Sequence, residues 1–239
     1  MNYKLTRAGL IMVFIAQIIA LLGSLLSGFI VMIKMIKSID STSDYLTHPV
    51  VVFFVIIFSA AIIVLLVLSV LLNTVGILMS VKAEKKFLTA FFLLLFEFVG
   101  TVALYCVPSD SLADVIMVFN DVMQLVITLT IIEGIIRLAE RIDDQKTADY
   151  GDFAVKLIAT GYVVNMLCSI CSLIFNASYS YKTVGSVLSL ISIVIEIVIG
   201  VFYLITLGKA SGMLKKQIRN AKAEQESDVQ TEPDTEPAA

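Results

Sequence analysis

Six apolar stretches of about twenty residues recur along this chain of 239 residues, and they restrict the environment in which it can fold. A helix of about 20 residues spans the hydrocarbon core of a bilayer, which is about 30 Å thick. Hydrophobic residues make up 59% of the chain and charged residues only 15%, and the mean hydropathy is +0.96. This composition is too apolar for a soluble domain. The sequence therefore predicts an all-α membrane protein, a six-transmembrane-helix bundle embedded in a lipid bilayer.

The apolar stretches define the predicted organisation of the chain. The spans cover residues 10–33, 50–72, 87–107, 115–136, 153–175 and 184–207. They form one membrane domain, residues 1–222, which ends in a basic amphipathic segment at 208–222. The acidic residues 223–239 are predicted to be a disordered tail. The mixed-charge segment 137–152, which follows span 4, is predicted to prolong that helix.

Basic residues are distributed unequally between the two sides of the predicted bundle. Of the 17 Lys and Arg residues, Lys34, Lys37 and Lys182 fall on one side, and the remaining fourteen fall on the side that holds both termini. Cytoplasmic loops of membrane proteins carry an excess of Lys and Arg. The sequence therefore predicts a multi-pass protein of the cell membrane with both termini in the cytoplasm. The first span is too long for a signal-peptide core and is expected to remain uncleaved.

One carboxylate, Glu97, lies at the centre of span 3 in a run without Lys or Arg. In lipid such a group must find a partner on another helix or stay protonated. Small and polar residues also form stripes at helical spacing along most spans, which marks the faces that pack together. Counting about 1.5 Å per residue from the nearest basic residue places a polar layer roughly 14 to 20 Å deep, near the midplane. The layer comprises Gln17, Glu97, Gln124, Asn165 and Glu196.

This layer contains two carboxylates and no Lys, Arg or His, and two interpretations of it remain open. The polar side chains can serve only as hydrogen-bonding groups between helices, worth about 0.6 kcal/mol each. Alternatively, Glu97 and Glu196 form a site that binds a proton or a cation. Asn120 and Asp121 lie either at the external mouth of a cavity or close to the surface. Glu133 is expected to pair with Arg137 one helical turn away.

The residues needed for intramembrane catalysis are scarce. His48 is the only histidine and precedes a span, so neither a Ser–His pair nor an H-E-x-x-H site is available inside the membrane. Cys168 and Cys171 form a C-x-x-C without further ligands, and with Cys106 they are expected to be packing residues, the alternatives being an external disulfide or a metal site. No nucleotide-binding or nucleic-acid-binding pattern is present. The sequence predicts no enzyme activity, no catalytic residue, no cofactor and no metal.

A weak internal repeat follows Lys4, Lys86 and Lys156, where KLTRAGLIMVF, KFLTAFFLLLF and KLIATGYVVNM each open an outward-going helix. It predicts three helical hairpins. Ala16 and Ala20 form an A-x-x-x-A pair on span 1. With six spans and cytoplasmic termini, this looks a little like the substrate-capture subunits of energy-coupling-factor vitamin transporters, which dock a partner through small-residue motifs on an early helix. One such pair identifies no family, and none is assigned.

Two functions remain after these exclusions. The first is a non-enzymatic membrane protein that acts by interaction, with a protein partner at its cytoplasmic loops or tail. The alternative is a small-solute or ion transporter, or the membrane subunit of one, that uses the midplane layer around Glu97 and Glu196. Replacing either Glu with Gln is expected to leave an interaction protein working and to disable a proton-coupled one.

Overall fold

The computed structural model of the chain describes residues 3–39, 49–106, 110–176 and 182–230. These ranges form six α-helices: α1 (Tyr3–Ile39), α2 (Pro49–Ser80), α3 (Lys85–Cys106), α4 (Asp110–Arg141), α5 (Gln145–Asn176) and α6 (Lys182–Gln230). Each helix contains a stretch long and apolar enough to cross a membrane. The predicted all-α class and the six membrane-spanning helices are therefore confirmed. His48 and residues 231–239 lie outside the described ranges.

A short turn separates α4 from α5. Asp143 adopts a left-handed conformation with φ of 62°, and the N–H of Asp144 donates to the carbonyl of Ala139 at 3.0 Å, which closes the end of α4. The Asp144 carboxylate accepts hydrogen bonds from the N–H and the hydroxyl of Thr147 at 3.4 and 3.0 Å. This cap starts α5. The prediction that segment 137–152 prolongs span 4 as one helix is therefore wrong.

The six helices are arranged around the bundle in chain order. α1 packs against α2 and α6, and α5 packs against α4 and α6. α3 packs against α4 and makes a smaller contact with α2, while α4 and α6 touch across the interior. α6 is 49 residues long and continues through the predicted basic segment 208–222. It reaches Gln230, inside the segment for which the sequence predicts disorder.

The buried core lies toward one end of the bundle, which we call the basic end. It is the end at which α1, α3 and α5 begin and α2 and α4 finish. Its fully buried large side chains include Leu10, Ile77, Phe87, Ile131, Ile135, Ile158 and Leu207. On the other half, Phe53, Ile63 and Val99 are 61%, 61% and 64% exposed. The helices therefore pack tightly at the basic end and direct many apolar side chains outward beyond it, as expected for surfaces in contact with lipid.

The backbones of α1 and α2 touch at Gly9 and Gly76. A Cβ atom on Gly76 would lie 2.6 Å from the carbonyl oxygen of Gly9 and 2.8 Å from Cγ2 of Val13. A Cβ atom on Gly9 would likewise overlap the carbonyl oxygen of Gly76. Further along the same pair of helices, the Ser69 hydroxyl donates to the carbonyl of Ala16 at 3.0 Å. Small residues therefore set the separation of these two helices, as is common in membrane proteins.

Arg141 at the end of α4 fixes the turn between α2 and α3. Its guanidinium donates to the Glu84 carboxylate at 2.5 Å and to the carbonyl of Ala83 at 2.8 Å. The Glu84 side chain is only 7% exposed, so Arg141 is the cation that compensates this carboxylate. A second ion-pair group is more accessible: Lys86 and Arg137 lie 2.7 and 3.0 Å from Glu133, whose side chain is 42% exposed. The predicted Glu133–Arg137 pair is confirmed.

The two ion-pair groups differ in burial, and this difference predicts different costs for removing their arginines. We expect Arg141→Met to lower the free energy of unfolding by about 1–3 kcal/mol, because Glu84 would be left buried without its cation. Arg137→Met is the matched control. It should cost less than about 1 kcal/mol, because Glu133 is partly solvated and keeps Lys86. Thermal unfolding in detergent micelles, followed by circular dichroism, measures both, and equal effects would contradict the role given to Arg141.

Candidate functional site

A small polar cavity, here called the interior cavity, lies between α1, α4, α5 and α6. Its volume is about 20 Å³, enough for about one water molecule. The polar side chains that line it are Gln17, Ser24, Gln124, Thr128, Tyr162, Glu196 and Tyr203. Gln124 lines the cavity and is also exposed at the surface of α4. Four helices thus converge on a polar space inside an otherwise apolar bundle.

Glycines of the surrounding helices bring these side chains together. A Cβ atom on Gly200 would lie 2.5 Å from Cδ2 of Leu21 and 3.0 Å from Nε2 of Gln17, so α1 approaches the backbone of α6. A Cβ atom on Gly161 would lie 2.8 Å from Cγ1 of Ile199, so α5 approaches α6 from its other side. The position of the interior cavity therefore depends on close helix contacts at small residues.

Glu196 is the only carboxylate that lines the interior cavity. The hydroxyl of Ser24 on α1 donates to its Oε1 atom at 2.8 Å. No Lys, Arg or His lines the cavity, and none of the ion pairs found among the described residues includes Glu196. The carboxyl group therefore has a hydrogen-bond donor on a neighbouring helix but no basic partner in the described part of the chain.

One further carboxylate, Asp121, lies near Glu196. Asp121 on α4 is within electrostatic range of both Glu97 and Glu196. Ionising all three would place like charges near one another in a poorly solvated interior, which is costly. Glu97 does not line the interior cavity, and it is linked to Glu196 through its electrostatic interaction with Asp121. Asp121 therefore interacts electrostatically with both of the carboxylates that the sequence places in one layer.

Asn120 packs against α3. A Cβ atom on Gly100 would overlap Oδ1 of Asn120, and Nδ2 of Asn120 donates weakly to the Thr101 hydroxyl at 3.4 Å. Within the described part of the chain, Oδ1 of Asn120 is buried without a hydrogen-bond partner. Neither Asn120 nor Asp121 lines the interior cavity. Asn120, which the sequence placed either at the mouth of a cavity or close to the surface, therefore lies in the contact between α3 and α4.

Asn165 lies in a separate group of hydrogen bonds between α5 and α6. Its Oδ1 accepts a hydrogen bond from the Ser192 hydroxyl at 2.6 Å, and Ser169 lies 3.0 Å from Ser192. Further from the basic end, the Ser172 hydroxyl on α5 and the Ser189 hydroxyl on α6 are 2.6 Å apart. This ladder joins the two helices. Among the five residues of the predicted layer, Asn165 is therefore a helix-joining residue, whereas Gln17, Gln124 and Glu196 line the interior cavity.

Two tyrosines that line the interior cavity, Tyr162 and Tyr203, were not identified as site residues from the sequence. Tyr162 on α5 lines the cavity opposite Thr128 of α4. Tyr203 is 5% exposed, and its hydroxyl is buried without a hydrogen-bond partner among the described residues. A signal for Tyr203 was present, because it lies seven residues after Glu196 and therefore on the same helix face. Tyr162 carried a similar signal, because it lies three residues before Asn165 and seven residues before Ser169 on the same helix.

The cysteines and carboxylates of the described ranges do not assemble a metal centre. Cys168 and Cys171 are free thiols. In the part of the chain that the structure describes, no three side chains of Cys, His, Asp or Glu converge closely enough to hold a metal ion. The side chain of Cys106 lies outside the description.

Comparison with known proteins adds no relative to this picture. No protein-family model, no curated protein and no solved structure matches the chain. The likeness to substrate-capture subunits stays limited to the number of spans and one small-residue pair on α1. Function must therefore be inferred from the residues around the interior cavity.

Proposed function

We propose that this protein is a proton-linked membrane protein, either a transporter of a small solute or ion or the membrane subunit of one. In this proposal the chain crosses the cell membrane six times as three helical hairpins, with both termini in the cytoplasm. The observation that carries the proposal is the environment of Glu196. Its carboxyl group faces the interior cavity, accepts a hydrogen bond from Ser24 and has no basic partner among the described residues.

A carboxyl group in this environment is suited to gain and lose a proton. Burial disfavours the charged form of a carboxyl group, and nearby carboxylates disfavour it further. A proton needs only one carboxyl oxygen, whereas a tightly bound metal ion needs several ligands. Hydroxyl and amide side chains can donate or accept hydrogen bonds. The Ser24 hydroxyl can therefore pair with either form of Glu196.

Glu97 and Asp121 supply two further positions for a proton. Both lie within electrostatic range of one another, and Asp121 also lies within range of Glu196. Because like charges repel, the occupancy of one carboxyl group by a proton changes the affinity of the next. Intramembrane carboxyl groups arranged in this way are typical of proton relays in transporters. Movement of a second solute is inferred from this class of site.

Proton exchange at Glu196 can be tested in the reconstituted protein. We expect infrared difference spectra between acidic and alkaline buffer to contain the carbonyl band of a protonated carboxylic acid. Glu196→Gln should remove or shift part of that band, because the amide does not titrate while it still accepts a hydrogen bond from Ser24. Glu133→Gln is the matched control, since Glu133 belongs to a partly solvated ion-pair group at the basic end.

The same spectra can overturn the proposal. If the band is unchanged in Glu196→Gln and in a Glu97→Gln variant, the interior carboxyl groups do not exchange protons with the buffer. They would then be hydrogen-bonding groups that join helices. A band that changes equally in Glu133→Gln and Glu196→Gln would place the exchanging group outside the interior cavity and would contradict the assignment.

A second candidate is the interaction function predicted from the sequence, and the length of α6 favours it. Its 49 residues extend for about 74 Å at the usual helical rise, far more than a bilayer requires. Lys215, Lys216 and Arg219 are exposed on the part that continues from the basic end. Such a helix is a contact surface for an acidic protein partner. An interaction protein of this kind would show no proton exchange at Glu196.

A further inference from the structure

A groove runs along the outer surface of the bundle between α5 and α6, and we call it the α5/α6 groove. Its volume is about 610 Å³, which is in the range of pockets that bind small molecules. The residues along it include Phe153, Lys156, Thr160, Gly161, Val198 and Phe202. Lys156 and Thr160 are the only polar side chains among its lining residues.

The shape of the groove follows from the helix contact beneath it. At Gly161 the backbone of α5 touches Ile199 of α6, where a Cβ atom would lie 2.8 Å from Cγ1. The two helices are therefore close together at the floor of the groove, while the larger residues Phe153 and Phe202 lie toward the basic end. Eight residues separate Phe153 from Gly161 along α5, a distance of about 12 Å. The groove extends along α5 and is lined mainly by apolar side chains, which suits a hydrocarbon chain.

Lys156 gives the groove one charged position. No ion pair among the described residues includes Lys156, and its side chain is exposed. The hydroxyl of Thr160 donates to the backbone carbonyl of Lys156 at 2.8 Å. The Cα atom of Lys156 lies about 9 Å further along α5 than that of Tyr150, whose ring stacks under Lys209 at the basic end. A lysine at this depth can extend its charge toward the headgroup region while its stem covers apolar surface.

We propose that the α5/α6 groove binds an anionic phospholipid, with an acyl chain along Gly161 and Val198 and the phosphate held by Lys156. A cation without an ion pair among the described residues, in the half of an apolar groove nearer the basic end, matches the two parts of such a molecule. Basic pockets between transmembrane helices recognise anionic headgroups in this way. This lipid site is separate from the interior cavity and does not rest on proton exchange at Glu196.

Native mass spectrometry of the purified protein in detergent tests this site, with phosphatidylglycerol and phosphatidylcholine added in equal amounts. We expect the wild-type protein to retain phosphatidylglycerol in preference to phosphatidylcholine. Lys156→Gln should lower that preference by about fivefold, the effect of one basic residue near an anionic lipid surface. Lys146→Gln is the matched control, because Lys146 is an exposed lysine of α5 that does not line the groove.

A second pair of variants tests the groove itself. Val198→Trp should fill it and reduce retention of both lipids, while Val201→Trp, on an exposed position of α6 outside the groove, should not. Equal retention of the two lipids by the wild type would overturn the proposal, as would equal effects of Lys156→Gln and Lys146→Gln. Dimers that dissociate in Val198→Trp would show that a second copy of the chain occupies the groove, and this result would also overturn it.

Discussion

Replacing Gly76 with alanine is expected to destabilise the bundle, although alanine is the better helix former. The added methyl group would lie 2.6 Å from the carbonyl oxygen of Gly9 and 2.8 Å from Cγ2 of Val13. One of these partners is backbone, so α1 and α2 must separate along their contact. Overpacking of this kind costs about 1–3 kcal/mol. Thermal unfolding in detergent micelles, followed by circular dichroism, should show a lower Tm.

Gly23 provides the matched control on α1. A Cβ atom at this position meets no heavy atom within 4 Å. Gly23→Ala should therefore leave the Tm unchanged or raise it, because alanine in a helix is favoured over glycine by about 1 kcal/mol. Both substitutions replace glycine with alanine, but Gly76→Ala is expected to lower the Tm and Gly23→Ala is not. A stabilised Gly76→Ala variant would mean that the backbones of α1 and α2 do not touch at Gly9.

Replacing Glu196 with glutamine is expected to abolish proton-linked solute movement. Proteoliposomes that contain an internal pH-sensitive dye report any solute whose addition drives protons across the membrane. Pools of amino acids, sugars, nucleobases and organic acids can be screened with the wild-type protein without labelled substrates. For each solute that gives a signal, Glu196→Gln should give none, because its amide cannot carry the proton. Ser24→Ala should reduce the signal only in part, since it removes one hydrogen bond to the carboxyl group.

Glu133→Gln serves again as the control and should keep the full signal. Circular dichroism of every variant checks that loss of transport is not loss of fold. A signal that persists in Glu196→Gln would exclude Glu196 as the proton carrier. Absence of any signal from the wild-type protein across all pools, together with an unchanged infrared band, would favour the interaction function and direct attention to the exposed part of α6.

Most of the fold follows from local features of the sequence. Apolar runs of membrane length are visible without any knowledge of packing, and each run is a helix in the structure. The ends of the helices are less predictable, because a single side chain can decide them. Asp144 caps α5 and divides a segment that charge composition alone assigns to one helix. At the C-terminus, charge composition predicts disorder from residue 223, whereas α6 continues to Gln230.

The candidate site is less predictable than the fold. Helical rise gives the depth of a residue in the membrane, but it does not give the direction in which the side chain leaves the helix. Gln17, Gln124 and Glu196 have similar depth and share the interior cavity. Asn165 has similar depth and bonds with Ser192 instead. For Asp121 the sequence leaves two positions open, the mouth of a cavity or the surface, and only the structure shows that its charge interacts with both Glu97 and Glu196.

Six helices of membrane length, and carboxylates without basic partners in the same apolar runs, follow from the sequence alone. Both properties are local, since the length and the charge of an apolar run do not depend on its neighbours. Which polar side chains meet, by contrast, depends on how the helices pack. Close backbone contacts at Gly76, Gly161 and Gly200 set the separation and rotation of the helices. Because those contacts join residues far apart in the chain, the interior cavity around Glu196 exists only in the folded bundle.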